Sequence, residues 1–539
     1  MLAAFDLAFG NLLKEMFYKS VYIVVFLLFM LCIKAQKPSI NKPQQTPAKV
    51  INVISAATLS FDQEKNNAKV LTGDVVCEHE GALLHCDTAL IFDGEKKMQA
   101  KGHILITKGD SIRVTGDKLF YDGKTKLATL ENNVKCVEKD MTLTTNFLTF
   151  DVGNSIANYY KGGTIVNKEN TLTSKNGHYY SSTKEARFHY DVVLTNPDYK
   201  MNSDTLLYKI PTKTSYFLGP SIILSKTDYI YCENGWYDTE KEKAQFSNNA
   251  LLVTSQQRLK GDSLVYDRIA KIGKAYRNVI LTDTSQKSML YGDYVEYKQL
   301  KSEALVTKKA LYARIIENDT LFIAADTLYH RDLDSVNNFL NAFHNVKIFK
   351  KDMQGVCDSA SLNTIDSLMT LFKSPFLWSN ESQATAKVIK VDIGKNSVNG
   401  FHLDGKAFLI QLADSVTKDN FNQLSGRNID AIITQDTIRR VVVKGNADVV
   451  YYAKNKNKLV AQNKTTCSEI YMWFKKGDVA RVTFKPVTEG NIDPIKMVGV
   501  ESSKLKGFNW QYEARPKSRF ELHIKKTKTS KEKKGKDNS

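Results

Sequence analysis

A short motif recurs along most of this 539-residue chain at a nearly constant spacing. It starts with Asp or Asn and places apolar residues two and four positions later, as in Asp262-Ser-Leu-Val-Tyr266. Ten copies begin at Asp87, Asp117, Asn146, Asn176, Asp204, Asn234, Asp262, Asp293, Asp326 and Asp358, at intervals of 28 to 33 residues. A period of this length indicates a repeat protein.

A second segment lies between the copies and also reads as a strand. It is entered through Gly, Asn or Asp, as at Gly102-His-Ile and Asn278-Val. Short runs of β-branched and aromatic residues separated by turn residues predict two or three strands of about five residues per unit. One such unit cannot bury its apolar face alone, but stacked units can. The sequence therefore predicts an all-β fold, built as an elongated array of short strands with a repeat of about 30 residues.

The two ends of the chain differ from the array. Residues 1–35 combine lysines, a short apolar run and a small residue at Ala35, which predicts a cleaved secretory signal peptide starting at Met1 or Met16. Residues 36–50 form a proline-containing linker, and the array is expected over 51–475. Residues 476–524 are expected to be an atypical C-terminal cap, and the lysine-rich 525–539 a disordered tail.

The formal net charge of +18 favours polyanionic partners. The chain carries no recognisable nucleic-acid-binding motif, and the signal peptide directs it out of the cytoplasm. A phosphorylated glycolipid or an anionic membrane surface therefore fits this charge better than nucleic acid does.

The densest group of potential metal ligands is Cys77, His79, His85 and Cys86. A closed zinc site needs four converging side chains, whereas adjacent residues of a strand point to opposite faces. No metal site is predicted here. A disulfide between Cys77 and Cys86 is expected instead, in an oxidising compartment. The remaining cysteines of the mature chain are expected to be buried thiols: Cys136, Cys232, Cys357 and Cys467.

The chain contains no catalytic or cofactor-binding motif. The recurring aspartates sit at the same place in each unit, whereas catalysis requires one special site. They are expected to serve turns or strand edges. Neither enzymatic activity nor a cofactor is predicted.

The apolar pair of each motif has two interpretations. The residues in question are Leu90, Phe92, Leu119, Tyr121, Leu148, Phe150, Leu206, Tyr208, Leu264, Tyr266, Val295 and Tyr297. They either fill a closed core or line an open trough that solvates acyl chains, where each buried CH₂ contributes about 0.8 kcal/mol. The spacing leaves both open.

The motif series resembles the OstA-like family, the periplasmic lipopolysaccharide-transport proteins of the LptA type. The residues that carry the resemblance are Gly116-Asp-Lys-Leu-Phe-Tyr-Asp with Asn132-Asn-Val-Lys, and Gly261-Asp-Ser-Leu-Val-Tyr-Asp with Arg277-Asn-Val-Ile-Leu. The resemblance extends over about 51–475. It implies an open β-jelly roll in the periplasm that binds lipopolysaccharide through its lipid A acyl chains.

The resemblance also implies a role and partners. The chain would carry lipopolysaccharide from the inner to the outer membrane during outer-membrane assembly. It would pair end to end, through exposed strand edges, with itself or with jelly-roll domains of membrane-bound partners. Two alternatives remain: a structural or adhesive surface solenoid without lipid, and a polysaccharide-acting β-helix enzyme.

Overall fold

The computed structural model of the chain is built almost entirely of β-strands. It describes residues 51–523 apart from 65–66, 80, 109–111, 139–140, 167–169, 227, 239, 256, 268, 286, 317–318, 334–336, 395–397, 415–418, 435–436, 456–457, 476–477 and 500–502. The predicted signal peptide and linker lie outside the described residues, as does the basic tail. The predicted all-β fold is confirmed.

The chain divides into two compact units, one ending at Ala275 and the other starting at Tyr276. The strands of the N-terminal unit are β1 Asn52–Ser55, β2 Thr58–Asp62, β3 Ala68–His79, β4 Ala82–Phe92, β5 Lys97–Lys108, β6 Ile112–Asp122, β7 Leu127–Glu138, β8 Met141–Asp151, β9 Ile156–Tyr159, β10 Gly163–Val166, β11 Thr171–Ser174, β12 Asn176–Tyr180, β13 Glu185–Thr195, β14 Tyr199–Lys209, β15 Thr214–Ser225, β16 Tyr229–Asp238, β17 Lys243–Val253 and β18 Gln257–Asp267. The boundary falls within β19, Ile272–Asp283.

The C-terminal unit continues with strands of 4 to 19 residues. They are β20 Ser288–Lys298, β21 Glu303–Ile316, β22 Asp319–Asp332, β23 Asn338–Lys350, β24 Met353–Asn363, β25 Leu368–Phe372, β26 Phe376–Ser379, β27 Ser382–Thr385, β28 Val388–Ile393, β29 Val398–Leu412, β30 Phe421–Thr434, β31 Thr437–Asn455, β32 Lys458–Lys475 and β33 Asp478–Pro494. Within each unit, neighbours along the chain pair antiparallel. The ladder therefore continues to Pro494, past residue 475 where the sequence placed its end.

Most of the long strands bend at two consecutive residues whose positive φ places them in the left-handed region. We call each such pair a corner. The corners are Gly73–Asp74, Gly102–His103, Asn132–Asn133, Lys161–Gly162, Tyr190–Asp191 and Asn248–Asn249, then Arg277–Asn278, Lys308–Lys309, His344–Asn345, Lys373–Ser374, Gly405–Lys406 and Gly445–Asn446. The pairing register shifts at the corners, for example between His189 and Val192. Gly, Asn and Asp are frequent here because they tolerate positive φ best.

In several motifs the recurring aspartate contacts the corner of the following strand. Asp117 accepts a hydrogen bond from Asn133 at 2.8 Å, and Asp326 accepts one from Asn345 at 2.6 Å. Asp293 forms an ion pair with Lys309 at 3.0 Å. These aspartates contact the bends of neighbouring strands, which is the kind of contact that the sequence predicted for them.

Each corner divides its strand into two segments. Among the described residues, the segments on one side of the corners pair only with one another, so the ladder consists of two halves. Turns of one half are capped by aspartates: Asp122 accepts the N–H of Lys124, and Asp267 accepts that of Ala270. We call this half the tyrosine half, for the residues described below, and the other the opposite half. The backbone thus joins the two halves at the corners. At its other side, each half ends in its own row of turns.

The inner faces of the two halves carry the core. Side chains alternate strictly between inner and outer faces, as strands require. Phe217 and Phe246 of the tyrosine half are fully buried and stack with ring centroids 6.2 Å apart. Core packing therefore runs along the array, from strand to strand.

Candidate functional site: the inner faces of the roll

Aromatic and small residues alternate along one row of the inner face. In the N-terminal unit this tyrosine row is Tyr121, Ala128, Phe150, Ala157, Tyr179, Ala186, Tyr208, Ser215, Tyr237, Ala244 and Tyr266, each residue directly opposite the next across neighbouring strands. Strands lie about 4.8 Å apart, so successive aromatic rings recur about every 10 Å. The row forms a continuous apolar track with a polar atom on most rings.

Ten of the twelve residues proposed from the sequence lie on the inner face. Leu119, Leu206, Tyr208, Leu264, Tyr266, Val295 and Tyr297 are buried, whereas Tyr121, Leu148 and Phe150 are half-buried. Tyr121, Phe150, Tyr208 and Tyr266 belong to the tyrosine row itself. In the N-terminal unit the structure therefore places eight of the predicted residues on the inner face.

Leu90 and Phe92 are the exceptions, and their predicted inward orientation is wrong. The inner face of β4 carries Ala89 and Ile91, which are buried and opposite Ala100 and Met98. Leu90 and Phe92 are half-buried on the outer face. A shift of one residue in a strand moves every side chain to the other face, and the first motif copy was aligned one residue too late.

Sequence reasoning missed Tyr179 and Tyr237. Their copies were aligned on Asn176 and Asn234, but the residue that contacts the corner is one position earlier. Lys175 pairs with Asp191 at 2.6 Å, and Glu233 accepts a hydrogen bond from Asn249 at 2.8 Å. Aligning on Lys175 and Glu233 makes successive intervals equal to 29 residues from Asp117 through Asp262. Charge reversal at Lys175 concealed this regularity.

Side chains of the two halves meet across the interior. His79 of the opposite half contacts Tyr121 of the tyrosine half, with its Nε2 atom 3.2 Å from the phenol oxygen and ring centroids 5.3 Å apart. This contact lies away from the corner, near the two rows of turns. No backbone ladder joins those two rows among the described strands, so the halves meet there through side chains.

Polar residues of the opposite half lie at the ends of its strands, beside the second row of turns. Asn170, Asn196, Asp228 and Gln257 are buried there. Asn196 donates to Asn170 at 2.7 Å, and the N–H of Asp228 donates to Ser225 at 2.9 Å. The apolar interior of the N-terminal unit therefore ends in a polar lip.

Lysines recur in the turns of the tyrosine half. Lys96, Lys126, Lys184, Lys213 and Lys271 each occupy the left-handed position that closes a turn. Lys213 pairs with Glu240 at 3.6 Å, whereas Lys96 and Lys126 are exposed. The turn row of the tyrosine half thus carries positive charge at intervals of about two strands.

One interior cavity lies where β9 to β12 divide long strands into shorter pieces. Its volume is about 30 Å³, and residues such as Leu143, Ile165 and Phe188 line it. The Tyr159 ring packs beside it, and the burial of Tyr159 raises the pKa of its hydroxyl to about 12. A cavity of this size holds one or two water molecules, not an acyl chain.

In the C-terminal unit the tyrosine row changes character. It runs Tyr297, Ala304, His330, Leu340 and Leu362. His330 is fully buried, and no described residue lies within hydrogen-bonding distance of either ring nitrogen. Burial lowers the pKa of His330 to about 4, against the opposing influence of Asp332 and Asp283. This histidine is therefore neutral near pH 7.

The predicted disulfide is wrong in this structure. Cys77 and Cys86 are buried free thiols, with Cys77 opposite Leu84 and Cys86 opposite Val75. That arrangement is diagonal, with a separation of about 7–8 Å that exceeds the usual Cα distance of a disulfide. Burial, followed by the charges of Cys77 and Asp87, raises the pKa of Cys86 to about 12. Among the described residues, no group of three His, Cys, Asp or Glu side chains could hold a metal ion.

The described part of the chain contains no helix long and apolar enough to span a membrane.

Comparison with known proteins identifies part of the array. Residues 48–204 match the family model of OstA-like protein. Among solved structures, the chain is similar to LptH, the LptA homologous periplasmic component of the lipopolysaccharide transport device from Pseudomonas aeruginosa, with 16% identity, a TM-score of 0.17, and coverage of 18% of this chain and 75% of that chain. No curated protein matches the chain significantly. The resemblance drawn from the sequence is confirmed over residues 48–204.

Proposed function

We propose that this chain is a non-enzymatic carrier of lipopolysaccharide, located in the periplasm and bridging the inner and outer membranes. The observation that carries this proposal is the tyrosine row, an uninterrupted inner track of alternating aromatic and small residues. A track without one special site suits an elongated apolar ligand that moves along it. The match of residues 48–204 to the OstA-like family supports the same function.

Acyl chains would enter between the two rows of turns. The corners hold the halves together on one side, whereas the turn side lacks a backbone seam among the described strands. Tyr266 is 1% exposed, so the halves must separate to admit a ligand. Each CH₂ group buried against the inner faces would contribute about 0.8 kcal/mol towards that separation.

The headgroup would remain at the turn side. Exposed lysines such as Lys96 and Lys126 would meet its phosphates, and the polar lip of the opposite half would meet its sugar hydroxyls. Exposed ion pairs are weak individually, so this contact would orient the lipid more than hold it.

Photo-crosslinking of the full chain in intact envelopes tests the lipid site. A photoreactive phenylalanine at Tyr266 faces the interior, and the same group at the adjacent Val265 faces outwards. We expect lipopolysaccharide adducts from position 266 and at least tenfold fewer from position 265. Equal adducts at both positions, or none at either, would leave the adhesive solenoid as the better description.

A charge substitution provides a second readout. Tyr266→Glu should remove lipid that co-purifies with the chain in native mass spectrometry, because a carboxylate is costly in an apolar interior. Val265→Glu is the matched control and should retain it. Circular dichroism of both variants separates loss of lipid from loss of fold.

A partner would pair with the N-terminal edge of the array. Strands β1 and β2 are exposed, and Ile54, Leu59 and Phe61 are each more than half exposed at this edge. Exposed edge strands are templates for pairing with another chain. The last strand, β33, contains Pro486 and Pro494, which cannot donate backbone hydrogen bonds. Photo-crosslinking from Ile54, with Ile492 as the control, should capture a second copy or a membrane-bound jelly-roll domain at the N-terminal edge alone.

A further inference from the structure

A row of buried residues crosses the outer face of the opposite half in the C-terminal unit. It runs Gln354, Trp378, Gln383, Ile410, Gln423 and Val450, each residue directly opposite the next. Trp378, Gln383, Gln423 and Val450 are each at most 2% exposed. Residues on the outer face are normally exposed to solvent, so another segment must cover this row.

The covering segment is the C-terminal stretch from Ser503 to Tyr512. Gln423 donates its amide to the Ser503 carbonyl at 2.8 Å and accepts the Leu505 N–H at 2.8 Å. Gln383 does the same with Asn509 and Gln511, at 2.6 and 2.8 Å. Each glutamine therefore binds the carbonyl of one residue and the N–H of the residue two positions later.

We call the backbone contacts of Gln383 and Gln423 the two glutamine clamps. Apolar contacts accompany them. Leu505 is buried in a cluster with Phe408, Phe421 and Tyr452. The rings of Phe508 and Trp510 each lie 5.2 Å from that of Phe421. Between the clamps the segment turns at Gly507, whose φ of +95° places it in the left-handed region.

The contacts that hold the covering segment resemble those that hold a bound peptide. No β-strand is assigned within residues 503–523, so it belongs to no ladder. The glutamine clamps read backbone groups, which every peptide carries, whereas the pocket around Phe421 selects apolar and aromatic side chains. A backbone contact that gives affinity, combined with pockets that give specificity, is the usual arrangement of peptide recognition.

We propose that this outer face is a peptide-binding site for segments of the pattern Leu-x-x-Phe-x-Trp. Its resident ligand is residues 503–512 of the same chain. The site lies on the outer face of the C-terminal unit, so it is independent of the inner track used for lipid. A second copy of the chain could supply the same segment in exchange.

The test uses the full chain with its own segment loosened by Leu505→Ala and Trp510→Ala. A fluorescent peptide of residues 501–515 should bind this variant at least tenfold more tightly than it binds the unaltered chain, whose site is occupied. Adding Gln383→Ala and Gln423→Ala should weaken peptide binding at least tenfold. Adding Gln354→Ala is the matched control, because its amide donates to the Lys350 and Lys351 carbonyls. A scrambled peptide should not bind.

Hydrogen exchange of the loosened variant makes the test decisive. We expect fast exchange over 503–512 with protection retained in β29 to β31. Fast exchange over 503–512 without peptide binding would overturn the proposal. Loss of protection in β29 to β31 would also overturn it, because the segment would then be an integral part of the fold.

Discussion

The two units build the same corners but are stabilised on different sides. In the N-terminal unit, strands β13 to β18 have 10 to 12 residues, and the stabilising contacts lie inside, along the tyrosine row. In the C-terminal unit, strands β29 to β33 have 14 to 19 residues, and a peptide segment also covers their outer face. The corner defines the repeat, while strand length and the covered outer face are variable additions.

The interiors differ as well. The N-terminal unit keeps an aromatic ring at every second strand of the row from Tyr121 to Tyr266. The C-terminal unit replaces the ring with His330 and then Leu362. The segment that matches the OstA-like family, residues 48–204, lies within the N-terminal unit. Lipid carriage is therefore best sought in the N-terminal unit, and peptide binding in the C-terminal one.

The largest expected effect comes from breaking the inner packing of the N-terminal unit. Phe246→Ala removes a fully buried ring that stacks on Phe217. Truncations of this kind cost about 3–5 kcal/mol in the free energy of unfolding. Hydrogen exchange should show reduced protection in β15 to β18 and unchanged protection in β30 and β31. Equal loss in both regions would contradict the separate stabilisation of the two units.

A smaller effect distinguishes the interiors by pH. The pKa of His330 is lowered in the folded chain, so its contribution to stability is complete above about pH 6.5, the unfolded value. That contribution is lost as the pH falls towards about 4, by about 3 kcal/mol, since each pKa unit corresponds to 1.36 kcal/mol. Denaturant titrations between pH 4 and 7 should show this loss, and His330→Leu should remove it.

His402 supplies a control of opposite sign. Hydrogen bonds to Asp430 and Asp392 raise its pKa, against the opposing effect of burial. Its stabilising contribution is therefore complete below about pH 6.5 and is lost as the pH rises through the folded pKa. His402→Gln should leave the loss between pH 6.5 and 4 in place. If His402→Gln abolished that loss, His330 would not be its source.

The corners test what the two units share. Asn248→Val puts a β-branched residue at a φ of +58°, which should cost about 1–3 kcal/mol. Asn248→Gly should be nearly neutral, because glycine adopts positive φ readily. Ser247→Val, one residue earlier on the same strand, is the matched control. Equal destabilisation by both valine substitutions in denaturant melts would show that the left-handed conformation is not the cause.

Much of this architecture follows from the sequence, and the exceptions have physical causes. The motif period and the strand alternation predicted the repeat, the inner face and ten of its residues. The first copy failed because Asp87 precedes two adjacent apolar pairs, and only the register selects Ala89 and Ile91. The outer row escaped notice because Gln383 and Gln423 lie far apart in sequence and carry no period. Their burial depends on a segment 80 or more residues away.

The smallest expected effect concerns the corner where the charges are reversed. Lys175 pairs with Asp191, whereas several other corners place the acid first, as at Asp117 with Asn133 and Asp293 with Lys309. Lys175→Asp alone brings two carboxylates together and should speed exchange of the Val192 and Val193 amides several-fold. Lys175→Asp combined with Asp191→Lys recreates the common polarity and should restore the original rates. We expect this restoration because the repeated corner requires the pairing itself and not its direction. If the double variant exchanged as fast as the single one, the corner pair would not be an interchangeable electrostatic contact.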